Sequence, residues 1–168
     1  MHPRESGERA CITWESPIGR LAVAAHSRAV VAVRFHASGG EAAGAGVAAR
    51  ALCREARREI TAYLAGDLRR FTVPVDARGS EFQRAVWVAI AEIPYGQTLT
   101  YGELAARLGK PRTSRGVGGA CGANPIPLII PCHRVLAANG RLGGFGGGPE
   151  LKRWLLELEA GCRSLPFA

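Results

Sequence analysis

The sequence predicts a small α/β domain, made of an antiparallel sheet and a helix, followed by a mostly α-helical domain. Three observations lead to this prediction. Residues 10–35 carry short apolar runs separated by turn residues, which is typical of antiparallel strands. Residues 47–64 and the segments after residue 80 place apolar side chains at helical spacing. Residues 76–79 have the composition of a linker, so we expect one domain at 1–78 and a second at 79–168.

Turn and helix-stop residues divide the first domain into elements. Pro17 and Gly19 favour a tight turn between two strands, and Gly66 is expected to end a helix. In chain order we expect strands at 10–14, 21–25 and 29–35, a loop at 39–46, a helix at 47–64 and an extended segment at 71–75. None of these segments carries residues with obvious chemistry, so we assign this domain a supporting role.

Capping residues mark the helices of the second domain. Ser80 and Gln83 form a capping-box pattern, and Thr100 is expected to cap the next helix. In chain order we expect helices from residue 81 to before Pro94, at 101–108, at about 113–122 and from Pro149 onward. Two short helices joined by a tight turn suggest a helix-turn-helix, although many helical hairpins share this pattern.

Basic residues dominate the segment around the third of these helices. The chain has a formal net charge of +8, and no acidic residue occurs between Leu104 and Pro149. A polyanionic partner explains this distribution, and nucleic acid is the leading candidate. The alternative explanation is a proteome that is generally rich in arginine.

Other features of the sequence argue against several protein classes. The first ten residues lack the apolar core of a secretory signal, and no apolar run approaches transmembrane length. The five cysteines are too widely spaced for a disulfide framework, and no Cys-x-x-Cys pair suggests zinc. We therefore expect a cytoplasmic protein with no metal, no cofactor and no membrane partner.

The helix at 113–122 is unusually rich in small residues. Residues 116–122 are all Gly, Ala, Val or Cys, and each Gly costs a helix up to about 1 kcal/mol relative to Ala. Close approach to DNA would justify this cost, and packing against the rest of the domain is the alternative. The helix lacks the array of Arg, Asn or Gln side chains that is needed to read base edges. Any DNA binding should therefore depend little on sequence.

The apolar run 128–130 and Pro131 lead directly into Cys132, His133 and Arg134. Proline stiffens this approach. A thiol beside an imidazole and a guanidinium is a candidate for a lowered pKa and a reactive thiolate. In a strand, neighbouring side chains point to opposite faces, so Cys132 and His133 would need a bridging water. A buried structural cysteine is the other interpretation.

Several motifs together resemble the O6-alkylguanine-DNA alkyltransferase family, also called methylated-DNA–protein-cysteine methyltransferases. They are Ser16–Gly19, Arg115–Ala120, Asn124-Pro125, Pro131–Val135, Phe145–Gly147 and Lys152–Glu159. The resemblance implies a winged helix-turn-helix-like second domain that binds double-stranded DNA through the minor groove. It also implies DNA repair by flipping out the O6-alkylguanine and transferring its alkyl group, once and irreversibly, to Cys132.

The resemblance also implies roles for individual residues. His133 takes the proton of Cys132 through a water, Glu159 polarises His133, Asn124 orients the hydrogen bonds and Tyr101 assists the leaving guanine. The residues expected to contact DNA are Arg115, which fills the gap left by the flipped base, and Thr113, Ser114, Gly118, Ala120, Cys121 and Arg134. The residues expected to line the base pocket are Pro127, Val135, Phe145 and Gly146.

Some positions allow more than one interpretation. Arg134 fits a phosphate contact or a structural ion pair, and Cys121 fits a packing residue or a second alkyl acceptor. Several family members have Tyr and Ser where this chain has Phe145 and Gly146, so a side-chain hydrogen bond to the O6 atom is in doubt. O4-alkylthymine therefore remains a second candidate substrate. The alternative functions are a non-catalytic alkylated-DNA-binding protein and a Cys-His hydrolase, and we expect a monomer.

Overall fold

The computed structural model describes residues 9–39 and 46–162, and it confirms the predicted fold class. Most of the loop expected at 39–46 and most of the first ten residues lie outside the described residues. In chain order the strands and helices are β1 (Ala10–Ser16), β2 (Gly19–Ala25), β3 (Val30–Phe35), α1 (Val47–Leu64), α2 (Glu81–Ala91), β4 (Leu99–Thr100), α3 (Tyr101–Arg107), α4 (Ser114–Gly122), β5 (Val135–Leu136) and α5 (Pro149–Glu159).

The first half of the chain is a three-stranded antiparallel sheet covered by α1. The strands lie in the order β1-β2-β3, and the β1–β2 hairpin closes where Ser16 pairs with Gly19. Gly19 has a φ of 94°, a conformation that glycine adopts without strain. Helix α1 has the predicted bounds, because its apolar stripe runs unbroken between Gly46 and Gly66. The buried residues of α1 are Ala49, Cys53, Ala56, Ile60, Tyr63 and Leu64, together with the charged Glu59.

The segment 71–75 joins the sheet through one isolated parallel bridge, between Val30 and Val75, rather than as a strand. The N–H of Val30 donates to the carbonyl of Pro74 at 2.9 Å. On the other side, the carboxylate of Glu59, which is 3% exposed, accepts the N–H of Thr72 at 2.9 Å. A buried acid of α1 therefore fixes this segment in place.

Side-chain caps define the helix starts of the second half. The hydroxyl of Ser80 accepts the N–H of Gln83 and the side chain of Gln83 accepts the N–H of Ser80, so the predicted capping box is confirmed. Helix α3 has a second capping box, because the hydroxyl of Thr100 accepts the N–H of Glu103 and the carboxylate of Glu103 accepts the N–H of Thr100. Thr100 was predicted as the cap of this helix, but the part played by Glu103 was not.

Helix α4 packs against α2 and α3, and it brings the loop after it against the first half of the chain. The indole N–H of Trp87 in α2 donates to the carbonyl of Ala120 at 2.8 Å. After α4, the carbonyl of Pro125 accepts the N–H of Val33 in β3 at 3.0 Å. The parallel pair β4–β5 joins Leu99 to Val135. One hydrophobic core consequently extends through both halves.

Among the described helices, none is both long enough and apolar enough to cross a membrane. Within residues 9–39 and 46–162, no three His, Cys, Asp or Glu side chains come close enough together to hold a metal ion.

Candidate active site

The loop that delivers Cys132 is held rigid by Asn124. The amide nitrogen of Asn124 donates to the carbonyl of Ile130 at 2.8 Å, and its amide oxygen accepts the N–H of Ile126 at 3.0 Å. Pro131 has φ −81° and ψ 64°, the geometry of an inverse γ-turn, and the N–H of Cys132 donates to the carbonyl of Ile130 at 2.8 Å. The stiff approach predicted from the proline is therefore built from a turn and an asparagine clamp.

Cys132, His133 and Arg134 form one turn of 3-10 helix, and β5 begins only at Val135. The strand geometry considered for Cys132 and His133 is therefore wrong. The N–H of Arg134 donates to the carbonyl of Pro131 at 2.9 Å, which closes the turn. Consecutive side chains leave such a turn about 120° apart. The side chains of Cys132 and His133 therefore point in different directions, as predicted, but the cause is the 3-10 turn and not the alternation of a strand.

The thiol of Cys132 is buried, with 6% of the residue exposed. Burial raises the pKa of Cys132, although the Asn124 side chain and the Lys152 ammonium act in the opposite direction. The prediction of a lowered pKa is wrong, because removal from water outweighs the neighbouring positive charge. The resting group is therefore a thiol, and it needs a base when it reacts.

His133, the residue after Cys132, forms a buried pair with Glu159. The side chain of His133 is 0% exposed and that of Glu159 is 1% exposed. Nε2 of His133 lies 2.8 Å from Oε1 of Glu159. Burial lowers the pKa of His133 and outweighs the carboxylate that acts against it, so the imidazole is neutral near pH 7. Burial alone would raise the pKa of Glu159, but hydrogen bonds from His133, Arg134 and Tyr63 lower it to about 2. A carboxylate therefore holds a neutral imidazole.

The two nitrogens of the His133 ring have different surroundings. Nε2 faces Glu159, whereas Nδ1 is buried and has no hydrogen-bond partner among the described residues. Buried polar atoms are normally paired. Nδ1 is thus the atom of this ring with capacity to accept a proton.

Arg134 does not face solvent, so its inclusion among the DNA-contacting residues is corrected. It is 6% exposed, and its Nε and Nη2 atoms donate to the Glu159 carboxylate at 2.9 Å each. Its Nη1 atom donates to the carbonyl of Ile93 at 2.6 Å. The guanidinium is engaged on every nitrogen, so of the two roles left open the structural ion pair is the one observed.

Helix α4 presents a mixed surface. Arg115 is exposed, and Thr113, Ser114 and Gly118 are partly exposed. Ala120 and Cys121, also expected to contact DNA, are buried at 2% and 7% exposure and face the core, which contradicts that expectation. Their burial follows from the contact between α4 and α2, in which Trp87 bonds the carbonyl of Ala120.

The glycines of α4 have different surroundings. A Cβ atom at Gly116 would lie 3.2 Å from the Phe82 ring, so this glycine permits close packing within the domain. At Gly119 and Gly122 a Cβ atom would meet no atom of the described residues within 4 Å. These two glycines leave the outer face of the helix bare without any internal packing reason.

The residues expected to line the base pocket differ in burial and contacts. Phe145 packs with its ring centroid 6.2 Å from that of His133 and 5.5 Å from that of Phe35 in β3. Val135 and Pro127 are buried, whereas Gly146 is exposed. The hydroxyl of Tyr101 lies close to Gly143: a Cβ atom built at Gly143 would lie 2.5 Å from the hydroxyl oxygen. Burial raises the pKa of Tyr101, so this hydroxyl remains a proton donor.

Comparison with known proteins identifies the family. The family model for the DNA binding domain of 6-O-methylguanine DNA methyltransferase matches residues 81–161, and the model for its ribonuclease-like domain matches residues 10–77. The chain belongs to the O6-alkylguanine-DNA alkyltransferase family. The resemblance seen in the sequence is thereby confirmed, and it extends to the first half of the chain.

Individual alkyltransferases agree with this assignment over nearly their whole length. The methylated-DNA–protein-cysteine methyltransferase of Methanosarcina acetivorans is 44% identical over 151 residues, which cover 89% of this chain and 97% of the relative. The protein of the same name from Mycobacterium tuberculosis is 43% identical over 157 residues, covering 88% and 90%. A crystal structure of Mycobacterium tuberculosis OGT in complex with DNA superposes with a TM-score of 0.79 at 42% identity, covering 90% of this chain and 93% of that one.

Two buried polar residues of this alkyltransferase fold were missed in the sequence. Lys152 is fully buried, and its ammonium donates to the carbonyl of Val135 at 2.6 Å, which ties α5 to β5. Burial lowers the pKa of Lys152. Lys152 and Glu159 are seven residues apart and share the apolar face of α5, and this spacing was a usable signal. The second residue, Tyr63, comes from α1 and reaches His133 and Glu159.

Proposed function

We propose that this chain repairs DNA by transferring the alkyl group of O6-alkylguanine to Cys132 in a single, irreversible reaction. The observation that carries the proposal is the arrangement of three groups. These are a buried thiol on a clamped turn, a neutral imidazole with one unpaired buried nitrogen, and an ionised carboxylate bonded to the other nitrogen. Membership of the alkyltransferase family gives this arrangement its substrate.

DNA binding is assigned to α3 and α4 acting as a helix-turn-helix. The bare face at Gly119 and Gly122 allows the backbone of α4 to approach the minor groove closely, and Arg115 is exposed to fill the gap in the base stack. Because this surface lacks an array of base-reading side chains, affinity should fall with salt and vary little with sequence. The alkylated base must leave the stack, at a cost of a few kcal/mol, to reach a buried thiol.

The proton of Cys132 leaves as the new bond forms. His133 receives it at Nδ1 through a bridging water, and the Glu159 carboxylate stabilises the imidazolium that results. The sulfur forms a bond to the alkyl carbon while the bond from that carbon to guanine O6 breaks. The electron pair of the broken bond stays on the guanine, and Tyr101 supplies a hydrogen bond as charge develops there. Over the whole reaction, the proton lost by the thiol is gained by the guanine.

The product explains why each molecule acts once. The sulfur of Cys132 becomes a thioether, which has no proton to lose and is a poor leaving group. Since all the proposed reacting groups belong to one chain, the protein can act as a monomer. Residues 79–168 carry the reaction in this proposal and residues 1–78 support it, and a cytoplasmic location gives access to DNA.

The test is the mass of the intact protein after incubation with duplex DNA that contains one O6-methylguanine. We expect a gain of one methyl group, mapped to Cys132, at one equivalent of DNA. The Cys132→Ser variant should bind the same DNA and gain nothing. Unchanged mass of the natural protein with normal DNA binding would instead support a non-catalytic binding protein. Repeated turnover of an ester would support a hydrolase.

A further inference from the structure

Tyr63 lies in α1, in the first half of the chain, and its hydroxyl contacts His133 and Glu159 in the second half. The residue is fully buried, and its hydroxyl lies 2.6 Å from Oε1 of Glu159 and 3.1 Å from Nε2 of His133. These partners are 96 and 70 residues away in sequence. The hydroxyl therefore completes a three-way hydrogen-bonded contact that neither half forms alone.

Counting protons assigns a direction to each bond of this contact. Burial and the neighbouring Glu159 carboxylate raise the pKa of Tyr63 well above its usual range, so the phenol keeps its single proton. An ionised Glu159 can only accept, so the phenol donates to Oε1. The phenol oxygen then has only lone pairs to offer to the nearby Nε2 atom. Nε2 consequently faces two acceptors, Oε1 at 2.8 Å and the phenol oxygen at 3.1 Å.

Two acceptors around Nε2 favour one tautomer of the ring. If Nε2 carried a lone pair, that lone pair would face the negative oxygen of Glu159 inside the core, where repulsion is weakly screened. With the proton on Nε2, both contacts become attractive. Nδ1 must then carry the lone pair, and Nδ1 is the buried nitrogen without a partner among the described residues.

We propose that Tyr63 is a positioning residue for alkyl transfer: its hydroxyl fixes Glu159 and the Nε2–H tautomer of His133, so that Nδ1 is the base. This inference rests on the function proposed above and gives the first domain a chemical role in it. Alkyl transfer then depends on the docking of α1 against the second half of the chain. Phe35 in β3 adds to this dependence, because its ring packs against Phe145 in the pocket wall.

The matched variants are Tyr63→Phe and Tyr95→Phe. Each removes one hydroxyl from a tyrosine next to Arg134, and the two rings contact each other edge to face at 6.1 Å. The hydroxyl of Tyr95 donates instead to the carbonyl of Leu158 at 3.4 Å, away from His133. Tyr95→Phe thus controls for the loss of a partly buried tyrosine hydroxyl in the same cluster.

The first measurement is the rate of alkyl transfer from O6-benzylguanine as the free base, which removes DNA binding from the experiment. Tyr63→Phe should slow the transfer by about tenfold or more, as expected for a lost hydrogen bond to a charged group. Tyr95→Phe should keep the rate of the natural protein. Both variants should bind undamaged duplex DNA with unchanged affinity.

The second measurement is the tautomer of His133, read from nitrogen-15 NMR of histidine-labelled protein and assigned with His133→Gln. The natural protein should carry the proton on Nε2, and Tyr63→Phe should show a mixture of tautomers. A proton on Nδ1 in the natural protein would overturn the inference. An unchanged tautomer in Tyr63→Phe, or an unchanged rate, would overturn it as well.

The tautomer can be measured in a protein that transfers no alkyl group. A natural protein with Nε2 protonated but no transfer to Cys132 would therefore refute the proposed function and leave the geometry intact. If the Tyr63→Phe variant does not fold, the inference is tested on the natural protein alone. The inference then requires slowly exchanging protons on Nε2 and on the Tyr63 hydroxyl with a nuclear Overhauser effect between them, and their absence overturns it.

Discussion

Replacing Arg134 with methionine separates the ion pair seen in the structure from a contact with DNA. The guanidinium donates to Glu159 and to the carbonyl of Ile93, and the residue is buried. Methionine keeps most of the length of the side chain but none of its donors. The substitution therefore removes the charge from the core and leaves the exposed surface of α4 unchanged.

The expected cost can be worked out from the partners that remain. Removing one member of a buried ion pair typically costs about 3–5 kcal/mol, because the other charge stays buried. Glu159 would keep its bonds from Tyr63, from His133 and from the N–H of Gly96 at 2.9 Å. We therefore expect the lower end, a loss of about 3 kcal/mol in the free energy of unfolding.

Urea unfolding measures the change in stability. Fluorescence anisotropy with labelled duplex DNA at several salt concentrations measures DNA affinity and its salt dependence. Arg134→Met should lower stability and leave both DNA affinity and its salt dependence unchanged. Arg115→Ala is the matched control, since Arg115 is exposed. It should change stability by no more than about 0.5 kcal/mol and weaken DNA binding. The reasoning fails if Arg134→Met leaves stability unchanged and reduces the salt dependence, because Arg134 would then contact phosphate.

Two further predictions concern α4 and the buried carboxylate. Gly119→Leu should stabilise the helix by up to about 1 kcal/mol, weaken binding to duplex DNA and leave transfer from the free base unchanged. Ala51→Leu on the exposed face of α1 serves as its control, and equal DNA affinities for both variants would contradict the close approach of α4. The pKa of Glu159 is lowered from 4.5 to about 2 in the folded protein, which corresponds to about 3 kcal/mol of stability. Because the folded pKa is the lower one, this contribution should be complete above pH 4.5 and disappear as the pH falls towards 2. Urea unfolding across this range should show the loss, and a Glu159→Gln variant with an equally steep loss would contradict it.

Elements that depend on neighbouring residues could be predicted from the sequence. The capping box at Ser80 and Gln83 is a contact between residues three apart, and the bounds of α1 follow from glycines and an apolar stripe. The extended segment 71–75 was harder, since its position depends on Glu59 in a different element. Nearby residues therefore predicted where these helices begin and end. The position of the segment 71–75 depended on a residue that is distant in sequence, so it could not be predicted in this way.

In the candidate site as well, the sequence indicated the important residues but not the contacts that they make with distant parts of the chain. The motif drew attention to Cys132 and His133, but the sign of the pKa shift of Cys132 depends on burial, which the motif does not contain. A basic segment suggested that Arg134 meets DNA, whereas it turns inward to Glu159. The contact from Tyr63 spans 70 residues and joins two halves, so no pattern within either half could have indicated it.

The position of Glu159 along the chain has a consequence for the newly made protein. The carboxylate accepts bonds from Tyr63, Gly96, His133 and Arg134, yet it follows all of them in sequence. During synthesis, Cys132 and His133 therefore emerge from the ribosome before the acid that completes their hydrogen bonds. In the mechanism proposed above, His133 can act as the base for Cys132 only after α5 has emerged and packed onto the rest of the fold. Under that mechanism, a chain still being synthesised has the thiol but lacks the complete set of reacting groups.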